Sequence, residues 1–368
     1  MNIHHRTILL AFISLLCIVS CDDPSGIVQQ GYDRKSMLEF TEKQTIIPLL
    51  TDVHVAMKKL DSTLIALDKN RSEGQAQAAR DAWRKLAIAW QYAVIFDFGP
   101  AEMNDGSLFQ QIGTFPVSTI KVDSYISAQD STFQNFDRDA RGLYALEYIL
   151  FKDSTSCIQS FEQQPFRIAY ARAMSRNMLS RLETVLDQWQ HAYGISFIQS
   201  DGVQAGSSIS DLYNAFVYHY EVMKNYNLGL PMGKRAGQIK NEPTKVEGYF
   251  SGSSVTLLKA KYEAIKYLWY GYARLSLATS LSPRGFKDYI ETVELGPRLI
   301  QDTEAQWNEI DQAFSAIDSR ISLQELIQLQ SPALDTVFTA LTKQTRFLKS
   351  EMSSLLGISI TYSSSDGD

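Results

Sequence analysis

The run Arg141-Gly142-Leu143-Tyr144-Ala145-Leu146-Glu147 sets a phenol and a carboxylate three residues apart. On a helix, that spacing brings both side chains to one face. A tyrosine hydroxyl, with an ordinary pKa near 10, can donate a hydrogen bond to the carboxylate. As a phenolate it can instead serve ferric or haem iron. Carboxylates such as Glu147 suit hard cations. Gly142 lowers helix stability by ~0.8–1 kcal/mol relative to alanine, a cost that close approach of another element would explain.

Other chemistry is sparse. The chain contains no HExxH, no GxSxG, no phosphate-binding loop and no dinucleotide fingerprint. Beyond the first twenty residues the histidines are His54, His191 and His219, far apart in sequence, so a His-rich zinc shell is hard to assemble. Each is expected to be a surface residue or a satisfied core residue. His219 and Glu221 lie two apart and do not share a helix face. Tyr262, Tyr267, Trp269, Tyr270 and Tyr272 could line a haem or glycan surface, but aromatics at helical spacing usually build core. Cys157, with no partner motif nearby, reads as a small buried hydrophobe.

The elements that must position these residues are helices. Apolar residues recur every three to four positions between Ser36 and Lys69. Ser72-Glu73-Gly74-Gln75 has capping-box spacing and opens a helix with Trp83, Leu86, Ala87, Trp90, Ala93, Val94 and Asp97 on one stripe. Phe98-Gly99-Pro100 ends it. A loop containing Asn104-Asp105-Gly106 leads to a helix starting near Pro116, then to helices over Asp137–Phe151 and Pro165–Tyr193, the latter stopped by Gly194. Later helices span Ser210–Leu228 and Ser254–Thr279, with irregular chain between them. Pro297 suits a first helical turn, and Ser322-Leu323-Gln324-Glu325 is a second capping box. The last helix carries a seam from Leu334 to Leu355. Nothing reads as a sheet. The expected fold is all-α, two helical bundles in tandem: 36–198 and 199–360, divided at the Ser/Gly/Gln-rich stretch from Ile198, with a polar, disordered tail over 361–368.

The N-terminus is an address. Met1 to Arg6 precedes an apolar run, Thr7 to Val19, too short to span a bilayer and suited to a secretory signal over 1–20. Ile18-Val19-Ser20-Cys21 resembles the lipobox of bacterial lipoproteins, which predicts acylation of Cys21 and a tether over 21–35. Acyl chains, at about 0.8 kcal/mol per buried CH₂, would anchor the protein to a membrane. Asp22-Asp23 resembles surface-export signals of Bacteroidota lipoproteins, although an aspartate there implies inner-membrane retention in enteric bacteria. The expected location is the cell envelope, lipid-anchored at the outer membrane, on its periplasmic side or the cell surface. With Cys17 in the signal and Cys21 acylated, Cys157 is left without a disulfide partner. A formal net charge of −6, without basic clusters, argues against nucleic acid as a partner.

These segments together resemble the imelysin family, whose hallmark is GxHxxE followed by an apolar Tyr/Leu/Phe run. Gly142 and Glu147 match, and Tyr144 stands in the histidine position. Trp83 to Trp90 with Phe96-Asp97-Phe98-Gly99-Pro100-Ala101 resembles the first family block, and Phe115-Pro116-Val117 with Val122-Asp123 the next. Leu228-Gly229-Leu230-Pro231-Met232-Gly233 and Glu247-Gly248-Tyr249-Phe250-Ser251-Gly252 resemble blocks of Bacteroidota members. The resemblance implies a double helical bundle with its site around the motif near the domain interface. It also implies either peptidase activity or a place in iron handling, with the motif's His and Glu as metal ligands. Three readings follow: iron or haem held by Tyr144 and Glu147 with help from Asp123, Glu102 or Asp97, in a protein working with iron- or haem-uptake partners; a dead site in a partner-binding scaffold, with Tyr144 bonded to Glu147; and an envelope peptidase, which the missing histidine disfavours.

Overall fold

The computed structural model describes residues 31–152, 157–272 and 284–362. Cys21, the whole 1–20 segment, the end of the helix expected to reach Thr279 and the tail from Ser363 lie outside them. Among the described residues every regular element is helical.

Helix α1 (Arg34–Phe40) runs through a π-turn into α2 (Ile47–Lys69), and α3 (Glu73–Ala93) returns against α2. Ser72 holds the N-cap position of α3 without a side-chain cap, so the expected capping box is not made; Glu73 instead pairs with Arg80 at 2.5 Å. The α3 stripe is buried as its periodicity requires, with Trp83 and Trp90 at most 1 % exposed. Burying such large side chains contributes about 1.5–3 kcal/mol each. Asp97 falls beyond the helix, after a 3₁₀ turn over Val94–Phe96.

The stretch expected to be a loop before Pro116 contains a short helix, α4 (Leu108–Ile112), capped by Ser107. Next come α5 (Thr119–Ser127), capped by Ser118 rather than begun at Pro116, and α6 (Leu143–Phe151). The Asp137–Phe151 helix is broken, because Gly142 has φ +83° and ψ −161°, a conformation open to glycine only. A Cβ on Gly142 would sit 2.4 Å from the Ile112 carbonyl oxygen.

Helix α7 (Cys157–Gln163) precedes α8 (Phe166–Gln190), which packs on α2. Gly194 does not stop α8. The break falls at His191, and Gly194 lies inside α9 (Ala192–Gln199), where a Cβ would meet the Trp189 carbonyl oxygen at 2.2 Å.

The second half begins with α10 (Ser208–Val222), which widens into a π-turn over Met223–Gly229. Helix α11 (Ser254–Tyr270) ends on Gly271 in the left-handed conformation. Then follow α12 (Phe286–Glu291), α13 (Gly296–Ser315), α14 (Leu323–Gln328), α15 (Pro332–Arg346) and α16 (Met352–Leu356). Pro297 stands in the first turn of α13, and Ser322 caps α14 by accepting from the Glu325 amide.

The two halves share one continuous hydrophobic core. α3 of the first half packs on α11 of the second. The N-terminal end is also tied across: Tyr32 stacks on Tyr289 at 4.7 Å, and the Arg34 guanidinium donates to the Asp201 carbonyl at 2.7 Å. Thr361 and Tyr362, placed by sequence in the disordered tail, are held: the Thr361 amide donates to Asn214 and the Tyr362 hydroxyl to Glu221.

Candidate functional site

Helix α6 is apolar along its whole length, so all nine of its residues are buried. It is locked to α3 by the Trp83 indole, which donates to the Leu143 carbonyl at 2.7 Å. Tyr144 lies between the rings of Trp83 and Phe115. Its hydroxyl donates to Glu247 rather than to Glu147. Gln91 of α3 donates to the Tyr144 oxygen at 3.2 Å and to Glu247 Oε1 at 3.0 Å.

Glu247 is 4 % exposed, and both of its carboxylate oxygens are engaged. Asn227 of the π-turn donates to Oε2 at 2.6 Å, and Lys261 Nζ of α11 lies 3.6 Å from the same oxygen. Lys261 also donates to Asn227 Oδ1 at 3.2 Å. Burial pulls the Lys261 ammonium pKa down, against the upward pull of Glu247. Burial, reinforced by Glu247, holds the Tyr144 phenol well above its usual range, so its phenolate is strongly disfavoured.

Glu147 faces a separate cleft of ≈ 270 Å³ lined by Phe115, Pro116, Tyr144, Tyr249 and Phe250 among others. The Ser251 amide donates to Glu147 Oε1 at 2.7 Å. Burial raises the Glu147 pKa to about 7 despite those hydrogen bonds. Burial thus favours its neutral carboxyl form relative to an exposed glutamate.

The other carboxylates proposed with this pair stand apart from it. Asp123 pairs with Arg167 at 3.0 Å and accepts from the Tyr148 hydroxyl at 2.6 Å. Glu102 and Asp97 line a different cavity, beyond Gly99 and Pro100. Gly99 has φ +56°, and a Cβ there would run into the Tyr193 ring. Pro100 lies in a 3₁₀ turn, Gly99–Ala101, and Pro116 follows a cis peptide bond. Of the histidines, His54 meets Glu183 at 3.0 Å and His191 lies exposed against Asp187. His219 is the exception to the expected satisfied core: it is 2 % exposed, and Nδ1 has no hydrogen-bond partner. Tyr262 and Trp269 are buried, Tyr262 against Trp307 and Phe314, whereas Tyr272 is 45 % exposed.

Sequence reasoning named Tyr144 and Glu147 but missed Gln91, Asn227, Glu247 and Lys261 as their neighbours. Lys261 had a signal: it interrupts the apolar stripe of Leu257, Ala264, Ile265 and Leu268 in α11, where a solvated lysine has no place.

The sequence profile of the imelysin family, peptidase M75, matches residues 46–349. The chain belongs to the imelysin family. Two solved structures share the imelysin fold. One, from Parabacteroides distasonis and described as an iron-regulated protein A precursor, is 17 % identical with a TM-score of 0.71, covering 88 % of this chain and 95 % of that one. The other, an imelysin-like protein from Psychrobacter arcticum, is 18 % identical with a TM-score of 0.68, covering 90 % and 99 %. No curated protein matches.

The imelysin motif region does not fit iron or haem here. Tyr144 is held as a neutral phenol, both oxygens of Glu247 are taken, and the Lys261 amine stands where a cation would have to compete for them. Among the described residues, no group of three or more His, Cys, Asp or Glu could hold a metal ion. The Glu147 cleft is also smaller than the about 300–1,000 Å³ usual for small-ligand sites.

Proposed function

We propose that this imelysin-family chain is a non-catalytic binding protein of the cell envelope, connected with iron or haem uptake through contacts with other proteins. Its motif region is a structural polar network rather than a metal centre or a peptidase site. The observation that carries this reading is Lys261 beside Glu247, which supplies from within the protein the positive charge a metal would bring.

Two further observations support it. A peptidase needs a general base or an activated nucleophile within reach of substrate. The motif histidine is Tyr144, the His219 imidazole is buried, and the Cys157 thiol is buried with its pKa pushed up. The connection with iron is supported by the name borne by the Parabacteroides distasonis structure. Envelope location rests on the Thr7–Val19 run and on Cys21 as the lipid-bearing residue. No helix among the described residues is long and apolar enough to cross a membrane.

The test is elemental analysis and titration of residues 22–368 with Fe(II), Fe(III), Zn(II) and haem, beside Tyr144→Phe and Glu147→Ala. The expected result is no stoichiometric binding that either substitution removes. One equivalent of iron or haem, lost in both variants while they stay folded, would overturn the proposal. Cleavage of a peptide substrate abolished by Glu147→Ala would overturn it in favour of a peptidase.

A further inference from the structure

A second cavity, of ≈ 660 Å³, shares no lining residue with the Glu147 cleft. It is an open cavity lying between the turns that follow α3, α9, the length of α10 from Ser208 to His219, and Thr361 and Tyr362. Its charged wall has a single sign. Asp97, Glu102 and Asp211 line it from three different segments, and no Lys or Arg does.

Two of these acids have a structural role that accounts for part of their presence. Asp97 accepts from the Phe109 amide at 2.9 Å. Asp211 stands in the first turn of α10, where the helix dipole favours an acid. Neither role neutralises them. Burial raises the Asp97 pKa to about 6 and raises that of Asp211 as well, Glu102 adds to both, and no cation works in the other direction. The carboxylates of Glu102 and Asp211 take part in no hydrogen bond or ion pair among the described residues.

A buried polar group also waits in the wall. His219 lines the cavity at 2 % exposure with Nδ1 unpartnered. Burial, with the Lys261 charge behind it, drives its pKa to about 3, so the ring is a neutral hydrogen-bonding group and no counter-ion to the acids. Tyr193 and Tyr218 add aromatic surface, and the missing Cβ of Gly99 leaves room for the Tyr193 ring.

We propose that this cavity binds a small aliphatic polyamine, with its ammonium groups on Asp97, Glu102 and Asp211 and its methylene chain against Tyr193 and Tyr218. Acids on separate segments match separate ammonium groups joined by a flexible chain. They are not gathered as a metal ion's ligands would be. The volume lies in the range usual for small-ligand sites, about 300–1,000 Å³.

The test is calorimetric titration of residues 22–368 with putrescine and spermidine, beside uncharged 1,4-butanediol and calcium chloride. The expected result is one equivalent of diamine or triamine bound, no heat from the diol, and at least tenfold weaker binding by Glu102→Gln/Asp211→Asn. Glu294→Gln, an exposed acid elsewhere, should bind as the parent does. If the double variant folds poorly, Glu102→Gln alone carries the test with a threefold or greater loss. Failure to bind either amine, binding undiminished in the folded variants, or calcium binding as tight as spermidine binding would overturn the proposal.

Discussion

The Tyr144 hydroxyl hydrogen-bonds to Glu247, 103 residues further along the chain. The motif tyrosine of the first half therefore has its hydroxyl satisfied by a carboxylate of the second. Lys261, Asn227 and Gln91 complete the arrangement around that carboxylate.

The buried pair should be costly to break from one side. Lys261→Met leaves a buried carboxylate without its cation, and urea unfolding should show a loss of about 3–5 kcal/mol. Combining it with Glu247→Gln removes the stranded charge and should recover most of that loss. Additive effects in the double variant would show that the two groups do not interact.

Glu147 should make the protein less stable as pH rises. Its folded pKa is raised to about 7 from an ordinary value near 4.5, so the folded state holds more protons between those limits. Its contribution is fully present below about pH 4.5 and lost as pH rises through 7. Glu147→Gln should therefore be more stable than the parent at pH 8, by up to about 3 kcal/mol on the scale of 1.36 kcal/mol per pKa unit. Its unfolding midpoint should also vary less between pH 5 and 8. An unchanged pH profile would refute the assignment.

His219 acts in the opposite sense. Its folded pKa is depressed to about 3, so the unfolded chain takes up the proton first as pH falls below about 6.5. That contribution is present above pH 6.5 and lost progressively towards pH 3. His219→Phe should flatten the loss of stability on acidification, as measured by thermal melts between pH 4 and 7.

Gly142→Ala should destabilise the fold by about 3 kcal/mol, since a non-glycine residue is strained at φ +83° and the new Cβ would strike the Ile112 carbonyl. Gly74→Ala, inside α3 with open space around the position, should instead be neutral or mildly stabilising. Equal denaturant midpoints for the two variants would contradict the close approach at Gly142.

Restoring the family histidine should not by itself create a metal site. Tyr144→His places an imidazole beside a carboxylate that Lys261 and Asn227 already engage. Zinc or iron affinity should appear, if at all, only when Lys261→Met is added. Stoichiometric metal in the single variant, detected by elemental analysis, would show that Lys261 does not compete.

The helical periodicity of α3, α8, α13 and α15 made the all-α fold legible, because one buried stripe per helix leaves an unambiguous 3.6-residue mark. Tyr144 and Glu147 could be named for the same reason, as both lie on one short helix. Glu247 could not be paired with Tyr144, since a contact made by an irregular loop has no period to read. Gly194 misled in the other direction. It looked like a stop signal, whereas its role is to let the helix pass close to the Trp189 carbonyl. Asp123 resembled a ligand in composition, and only the fold shows Arg167 beside it.

The stack of Tyr32 on Tyr289, with Arg34 reaching Asp201, has a mechanical consequence. Tension applied to the chain ahead of residue 31 would not peel α1 away alone. It would have to shear an aromatic stack and a charged hydrogen bond at the same moment, with the load divided between the opening helix and the α12 region. A protein held by its N-terminus would thus be gripped through both halves of its sequence.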